Sequence, residues 1–133
     1  NNLDLNENVY LNGEYNQESA PKIYQKNDLY YFMVHNAPCP NALIEAIASG
    51  LPVVYLDSGS SKEIVRQAGI GIKSKLSWNY FSEINANLIC KATIKILNNY
   101  NFYSKESRKN AIKHHDIEKW IIKHKLTFNR FIS

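Results

Sequence analysis

The chain has 133 residues, 44% of them hydrophobic, with a formal net charge of +4 and an isoelectric point near 9.0. That composition suffices for one globular core, which at this size buries roughly two-thirds of the unfolded surface. No apolar run approaches the ~20 residues that span a bilayer, and no signal peptide is visible. Cys39 and Cys90 fall in different elements without paired spacing, so free thiols and a reducing, cytosolic setting are expected. The first residue is Asn1, not Met, so a piece of a longer protein is expected. Lys105, Arg108, Lys109, Lys113, Lys119, Lys123, Lys125 and Arg130 crowd the C-terminal third. They form either a solvated helical face or a surface drawn to an anionic membrane or an acidic partner. Nucleic acid is not expected, because no recognition motif is visible and the aromatic residues keep core-like spacing.

In chain order, Val9-Tyr10-Leu11 reads as a short strand stopped by Asn12-Gly13. Ser19 as cap, with Pro21 in the first turn, opens a helix to about Lys26. Leu29 to Val34 is a continuous apolar and aromatic run, the pattern of a strand buried on both faces. His35 to Pro40 is a loop that two prolines hold extended. Asn41 is placed to cap a helix over Ala42 to Ser49, with Leu43, Ala46 and Ile47 facing inward and Gly50 as its C-terminal glycine.

Val53 to Leu56 is the next buried strand. Ser60 and Glu63 form a capping-box pattern for a helix to about Ala68, with Gly69 ending it and Ile70-Gly71-Ile72 as a last strand. Strands alternating with helices predict a parallel, Rossmann-like α/β sheet flanked by helices over residues 8–72. The rest, 83–133, reads as helical. Ile84, Leu88, Ile89, Ala92, Ile96 and Leu97 keep helical spacing, and Asn98-Asn99 breaks it. Ser104 opens a helix to about Lys113. Asp116 caps another, whose stripe is Ile117, Trp120, Ile121, His124, Phe128 and Phe131. The whole chain is read as a single partial domain.

The chemistry concentrates between Ala37 and Leu56. There a proline-bounded loop delivers a helix N-terminus, whose unpaired N–H groups and partial positive charge suit phosphate. Glu45, one turn further in, is placed to accept hydrogen bonds from hydroxyls near that phosphate. Alternatively Glu45 is an ordinary exposed helix carboxylate. Cys39 lies where a helix N-terminus favours a thiolate, but the sequence places no partner base for it. Glu63 reads as a capping residue. His114 and His115 are adjacent and diverge on a helix, and no zinc, calcium or P-loop spacing is present.

Pro40-Asn41-Ala42-Leu43-Ile44-Glu45-Ala46, followed by Ser49-Gly50-Leu51-Pro52-Val53-Val54, resembles the donor-site motif of GT-B glycosyltransferases of the family 4 kind. That motif runs roughly E-G-F-P-x-x-x-x-E-A-x-A-x-G-x-P-V. Val9 to Gly13, Tyr24 to Asp28 and Ser58 to Val65 are similar to its flanking segments. The resemblance implies the donor-binding, C-terminal part of a hexosyltransferase using a nucleotide diphosphate sugar, truncated on its N-terminal side. It implies Glu45 on the donor ribose, and the diphosphate at Asn41, Ala42 and Leu43. The sugar would lie at the loop His35 to Pro40, which includes Ala37, Pro38 and Cys39. The nucleobase would lie near Gly13, Glu14 and Tyr15.

No catalytic residue is expected within the chain, and no metal or cofactor beyond the substrate. The resemblance further implies a separate N-terminal GT-B domain holding the acceptor. Location at the inner face of a membrane would follow from the basic helices. The family's first glutamate falls at Ala37, its glycine and phenylalanine at Pro38 and Cys39, and a glycine of the later turn at Ser60. A non-catalytic GT-B half serving as an interaction module is the competing reading. In the usual strand order 3-2-1-4-5-6 the first two strands here would not be neighbours, implying a gap or a rearranged sheet.

Overall fold

The computed structural model of the chain describes residues 7–74, 77, 79 and 83–132. Three parallel strands lie in the order β1 (Tyr30–Phe32), β2 (Val53–Leu56) and β3 (Gly69–Ile72). The register sets Tyr31 beside Val54, and Val54 beside Ile70. Six helices are interleaved and appended: α1 (Ala20–Gln25), α2 (Asn41–Ala48), α3 (Ser61–Val65), α4 (Ala86–Leu97), α5 (Tyr100–His114) and α6 (Ile117–Ile132). The expected α/β architecture is therefore present.

β2 is buried at all four positions. On one face Val53 and Tyr55 pack with Phe32, Leu43, Ile47, Val65 and Ala111, joining α2, α3 and α5 to the sheet. On the other, Val54 and Ile72 meet Ala92 and Ile96 of α4. Helices on both faces explain why β2 reads as a continuous apolar run.

The two flanking strands depart from that pattern. β1 is three residues long and lies at the edge of the described sheet, so Tyr31 and Val34 are about half exposed. The expected double burial of Leu29 to Val34 does not occur. Val9 to Leu11 form no strand, and Leu11 is 95% exposed. Three apolar residues make a strand only when a neighbour takes their backbone bonds. β1, β2 and β3 are then direct neighbours, and neither a gap nor a rearrangement is seen in the described sheet.

Helix ends show where local chemistry was overridden. Gly50 takes φ +83 after α2, as a C-terminal glycine should. Asp116 Oδ1 accepts from the N–H groups of Glu118 (3.0 Å) and Lys119 (3.1 Å), so it caps α6 as expected. Asn41 instead is the first residue of α2, because Pro40 occupies the cap with extended backbone. Ser19 makes no side-chain cap, and its hydroxyl donates to Asn16 O. Ser60 makes none either, and its hydroxyl turns to Ala37 O at 3.3 Å.

α3 stops at Val65, where Arg66 takes φ +52, rather than running to Ala68. Gly69 consequently lies in β3, not at a helix end. A Cβ there would sit 1.9 Å from Val53 O, so only glycine lets β3 approach β2 this closely. α4 is capped by Asn85, whose Oδ1 accepts from Asn87 N at 2.9 Å, and it leaves Ile84 outside. α5 begins at Tyr100, four residues before the expected Ser104, since two asparagines suffice to separate it from α4. α6 buries none of its side chains, so its apolar stripe faces outward. Within that stripe His124 stacks on Trp120 with ring centroids 3.7 Å apart.

Tyr55 makes the core sensitive to alkali. It is 4% exposed, and its ring lies against Gly71, where a Cβ would come within 2.9 Å. Burial, with the nearby Asp57 carboxylate adding, pushes its phenol from 10.0 up to about 12. The folded chain thus keeps a proton that the unfolded chain releases above pH 10, and Tyr24 and Tyr30 shift in the same direction. Stability from these groups is complete below pH 10 and falls as pH rises through 12. Urea midpoints measured from pH 8 to 12 should drop above pH 10, and Tyr55→Phe should soften that drop.

Candidate functional site

α2 enters the site because the loop before it is clasped from behind. Asn36 takes φ +51, a left-handed conformation that asparagine tolerates. Its N–H donates to Ser58 Oγ at 3.1 Å, and its side-chain amide donates to Ser77 O at 3.2 Å. His35 Nε2 lies 3.0 Å from the same Ser77 carbonyl. Ala37 is 8% exposed, and its carbonyl accepts from Ser60 N at 3.1 Å.

Gly59 closes this clasp. It has φ +58, and a Cβ on it would fall 2.3 Å from Ala37 O. Ala37 points its methyl into the core with Phe32 and Leu43. Pro38 and Cys39 are exposed, Pro40 and Ala42 partly exposed, Asn41 exposed and Leu43 fully buried. Leu43 can therefore offer a ligand only its backbone.

No side chain caps the N-terminus of α2, and Leu43 N bonds back to Pro40 O at 3.1 Å. One turn on, Glu45 opens onto a cavity of about 410 Å³ between α1, α2 and α5. Tyr24 OH donates to Glu45 Oε2 at 3.2 Å, and Tyr15 OH lies 3.4 Å from Tyr24 OH. Arg108 of α5 lines the same cavity and donates through Nη1 to Ala48 O at 2.6 Å. That carbonyl is at the C-terminal end of α2, where a cation is favoured.

The cavity joins Glu45 and Tyr24 but excludes Asn41 and the loop 35–40, which flank it at the other end of α2. Gly13 stands apart, with nothing within 4 Å of the place a Cβ would take. Glu14 is exposed. Tyr24, Arg108, Asn36 and Ser58 escaped the sequence reading. Tyr24 stands as a lone aromatic in the short helix opened by Ser19, and Arg108 reads as one cation of a basic helix. Only the positive φ of Asn36 and Gly59 brings the clasp together, and a sequence does not display that angle.

Two buried polar hooks fix α5 against this unit. The Ser107 hydroxyl donates towards Leu51 O at 2.8 Å, with Tyr103 O (2.9 Å) and Ala68 O (3.4 Å) also within reach of its single proton. Asn110 Nδ2 donates to Ile64 O at 2.8 Å and Val65 O at 3.0 Å. Among the described residues no group of three or more His, Cys, Asp or Glu could hold a metal ion. Cys39 and Cys90 are free thiols.

The profile of the family Glycosyl transferases group 1 matches residues 1–115. The chain belongs to that family. Its sheet and helices are accordingly those of a Rossmann-like GT-B-type domain, and its function is that of a glycosyltransferase. No curated protein and no solved structure matches it. Among the described residues no helix is long and apolar enough to cross a membrane.

The clasp predicts a stability effect confined to one glycine. Gly59→Ala should lower unfolding free energy by at least about 2 kcal/mol, since it adds both left-handed strain and a backbone clash. Gly13→Ala, at φ +71 in open space, carries the left-handed strain alone and should cost about 1–2 kcal/mol. Urea unfolding of the two variants checks the contrast.

Proposed function

We propose that this glycosyltransferase domain, of the family 4 kind, binds a nucleotide diphosphate sugar and serves transfer of a hexosyl unit to a glycan or lipid acceptor. The observation that carries this reading is Glu45. Its carboxylate is pinned by Tyr24 at the wall of a cavity large enough for a nucleoside, one helical turn from an uncapped helix N-terminus.

A carboxylate accepts from vicinal hydroxyls, so Glu45 is the ribose ligand. The N–H groups at Asn41 and Ala42 receive the diphosphate, and that of Leu43, which bonds to Pro40 O at 3.1 Å, would have to be shared with it. As the glycosidic bond breaks, negative charge grows on the leaving diphosphate, and fixed N–H dipoles stabilise that charge without reorganising. The loop His35 to Pro40 faces the transferred sugar, with Ala37 contributing backbone only. Tyr15, beside Tyr24, borders the nucleobase. A separate N-terminal GT-B domain presents the acceptor, and this part alone does not catalyse.

Calorimetric titration of the full chain with UDP, GDP and their hexose conjugates tests the reading. Measurable affinity for one of them is expected, and no affinity for any would overturn it. Glu45→Ala should weaken that binding by roughly 1.5–3 kcal/mol, the loss of a hydrogen bond to a charged group. It should leave the fold near its normal stability, and unchanged affinity would remove Glu45 as the ribose ligand.

The basic helices support a second part of the proposal, attraction to an anionic membrane surface. Residues 100–132 hold eight basic and three acidic side chains, a formal +5, so the remainder carries −1. Among the described residues the one ion pair is Lys109–Glu106 at 2.9 Å. Juxtamembrane cations gain about 1 kcal/mol each near an anionic leaflet. The chain should pellet with vesicles of phosphatidylcholine and phosphatidylglycerol and not with phosphatidylcholine alone. Equal pelleting would remove the membrane attraction.

A further inference from the structure

We propose that Tyr24 is a positioning residue for the ribose site, holding the plane of the Glu45 carboxylate so that it discriminates a ribose diol from a deoxyribose. The inference rests on the reading of Glu45 as ribose ligand and adds the residue that makes that reading selective.

The geometry begins with what fixes the Tyr24 ring. It is 6% exposed, wedged among Ala20, Ala46 and Leu51, and meets Tyr30 of β1 edge-to-face at 5.7 Å. α1, α2 and the sheet therefore hold it together, and its hydroxyl emerges at one place on the cavity wall. Glu45 sits on a different element with three side-chain torsions of its own. Left alone at a partly exposed helix position, its carboxylate would sample several rotamers. The bond from Tyr24 OH to Oε2 ties that flexible group to a rigid one.

Proton bookkeeping gives the contact a direction. An ionised carboxylate only accepts, so the Tyr24 proton must point at Glu45. Any bond between Tyr15 and Tyr24 then runs from Tyr15 OH to Tyr24 O. At 3.4 Å that second contact is weak, so Tyr15 is an adjunct and Tyr24 is the anchor. Burial, with the nearby Tyr30 and the Glu45 charge adding, holds the Tyr24 phenol well above its ordinary pKa, so it stays a donor through the whole physiological range.

The selectivity follows from counting acceptor sites. Each carboxylate oxygen has about two lone-pair directions. Tyr24 occupies one on Oε2 and leaves the rest of that oxygen and Oε1 to the ligand. A cis-diol supplies two O–H donors about as far apart as two carboxylate oxygens, so a fixed plane can meet both. A rotating plane meets one at a time. A 2′-deoxyribose has a single hydroxyl there and gains little from the fixed plane. The present 3.2 Å is long for a hydroxyl–carboxylate bond. Such bonds commonly tighten when the ligand arrives.

The test compares UDP and GDP with their 2′-deoxy counterparts, by calorimetry on the full chain and on Tyr24→Phe. Phenylalanine keeps the ring in its pocket, and a thermal melt near that of the parent chain confirms that it does. In the parent chain the ribonucleotide should bind about tenfold tighter than its deoxy form. In Tyr24→Phe the ribonucleotide should lose most of that advantage, while the deoxynucleotide changes less than twofold. Equal losses for both forms would mean that Tyr24 merely shapes the cavity and would overturn the positioning role. A ratio that survives in Tyr24→Phe but vanishes in Glu45→Gln would overturn the inference and leave Glu45 as ribose ligand. No binding of either form by the parent chain would overturn the donor-site reading and this inference with it.

Discussion

Val53–Leu56 lies between two parallel neighbours with none of its four side chains in solvent. A strand so placed must pair its backbone on both sides and cover both faces, because unpaired buried N–H and C=O groups are costly. β1 and β3 meet the first demand. Gly69 is how β3 gets near enough, since any side chain there would collide with the Val53 carbonyl. α2, α3 and α5 meet the second demand on one face, and α4 meets it on the other. Fixing β2 fixes the turn that follows it, and that turn, through Ser58, Gly59 and Ser60, grips the loop that leads into α2. The candidate site is thus set by a strand that contributes no side chain to the lining of the Glu45 cavity.

α5 supplies the second constraint. Ser107 and Asn110 reach main-chain carbonyls at Leu51, Ile64 and Val65, positions where the chain leaves one regular element for the next. Carbonyls at such ends lie outside the regular helix and sheet ladders, and of these Val65 O also accepts a turn bond from Ala68 N at 2.9 Å. By satisfying them α5 is locked beside α2, and that places Arg108 in the Glu45 cavity. A buried serine and a buried asparagine here act as polar latches between helix and loop, which is a different task from filling the core.

Much of this was legible from residue order, and the failures share a cause. β2, α2 and the Gly50 terminus follow from a local apolar run, helical spacing and a left-handed glycine. The Asp116 cap is equally local. Ser60 and Asn41 failed as caps because a tertiary bond to Ala37 O and the preceding Pro40 had prior claim on the geometry. Val9 to Leu11 failed as a strand because a pattern of three residues cannot name its partner. Within the candidate site, Glu45 was visible through its motif. Tyr24 is 21 positions away and Arg108 lies 60 residues beyond Ala48, and only folding brings them to one cavity. Long-range polar contacts leave no periodicity to read.

α6 differs from the rest in having no buried side chain at all. Its sixteen residues are held by their own ladder, by the Asp116 cap, and by Lys119 reaching Ile112 O at 2.9 Å. A solitary helix of that length is marginal in water. Few buried contacts of this kind place a helix at the low end of local stability, where opening is by fraying rather than by unfolding of the whole domain. No α6 side chain belongs to the clusters that cover β2, so the β2 core draws none of its packing from the last sixteen-residue helix.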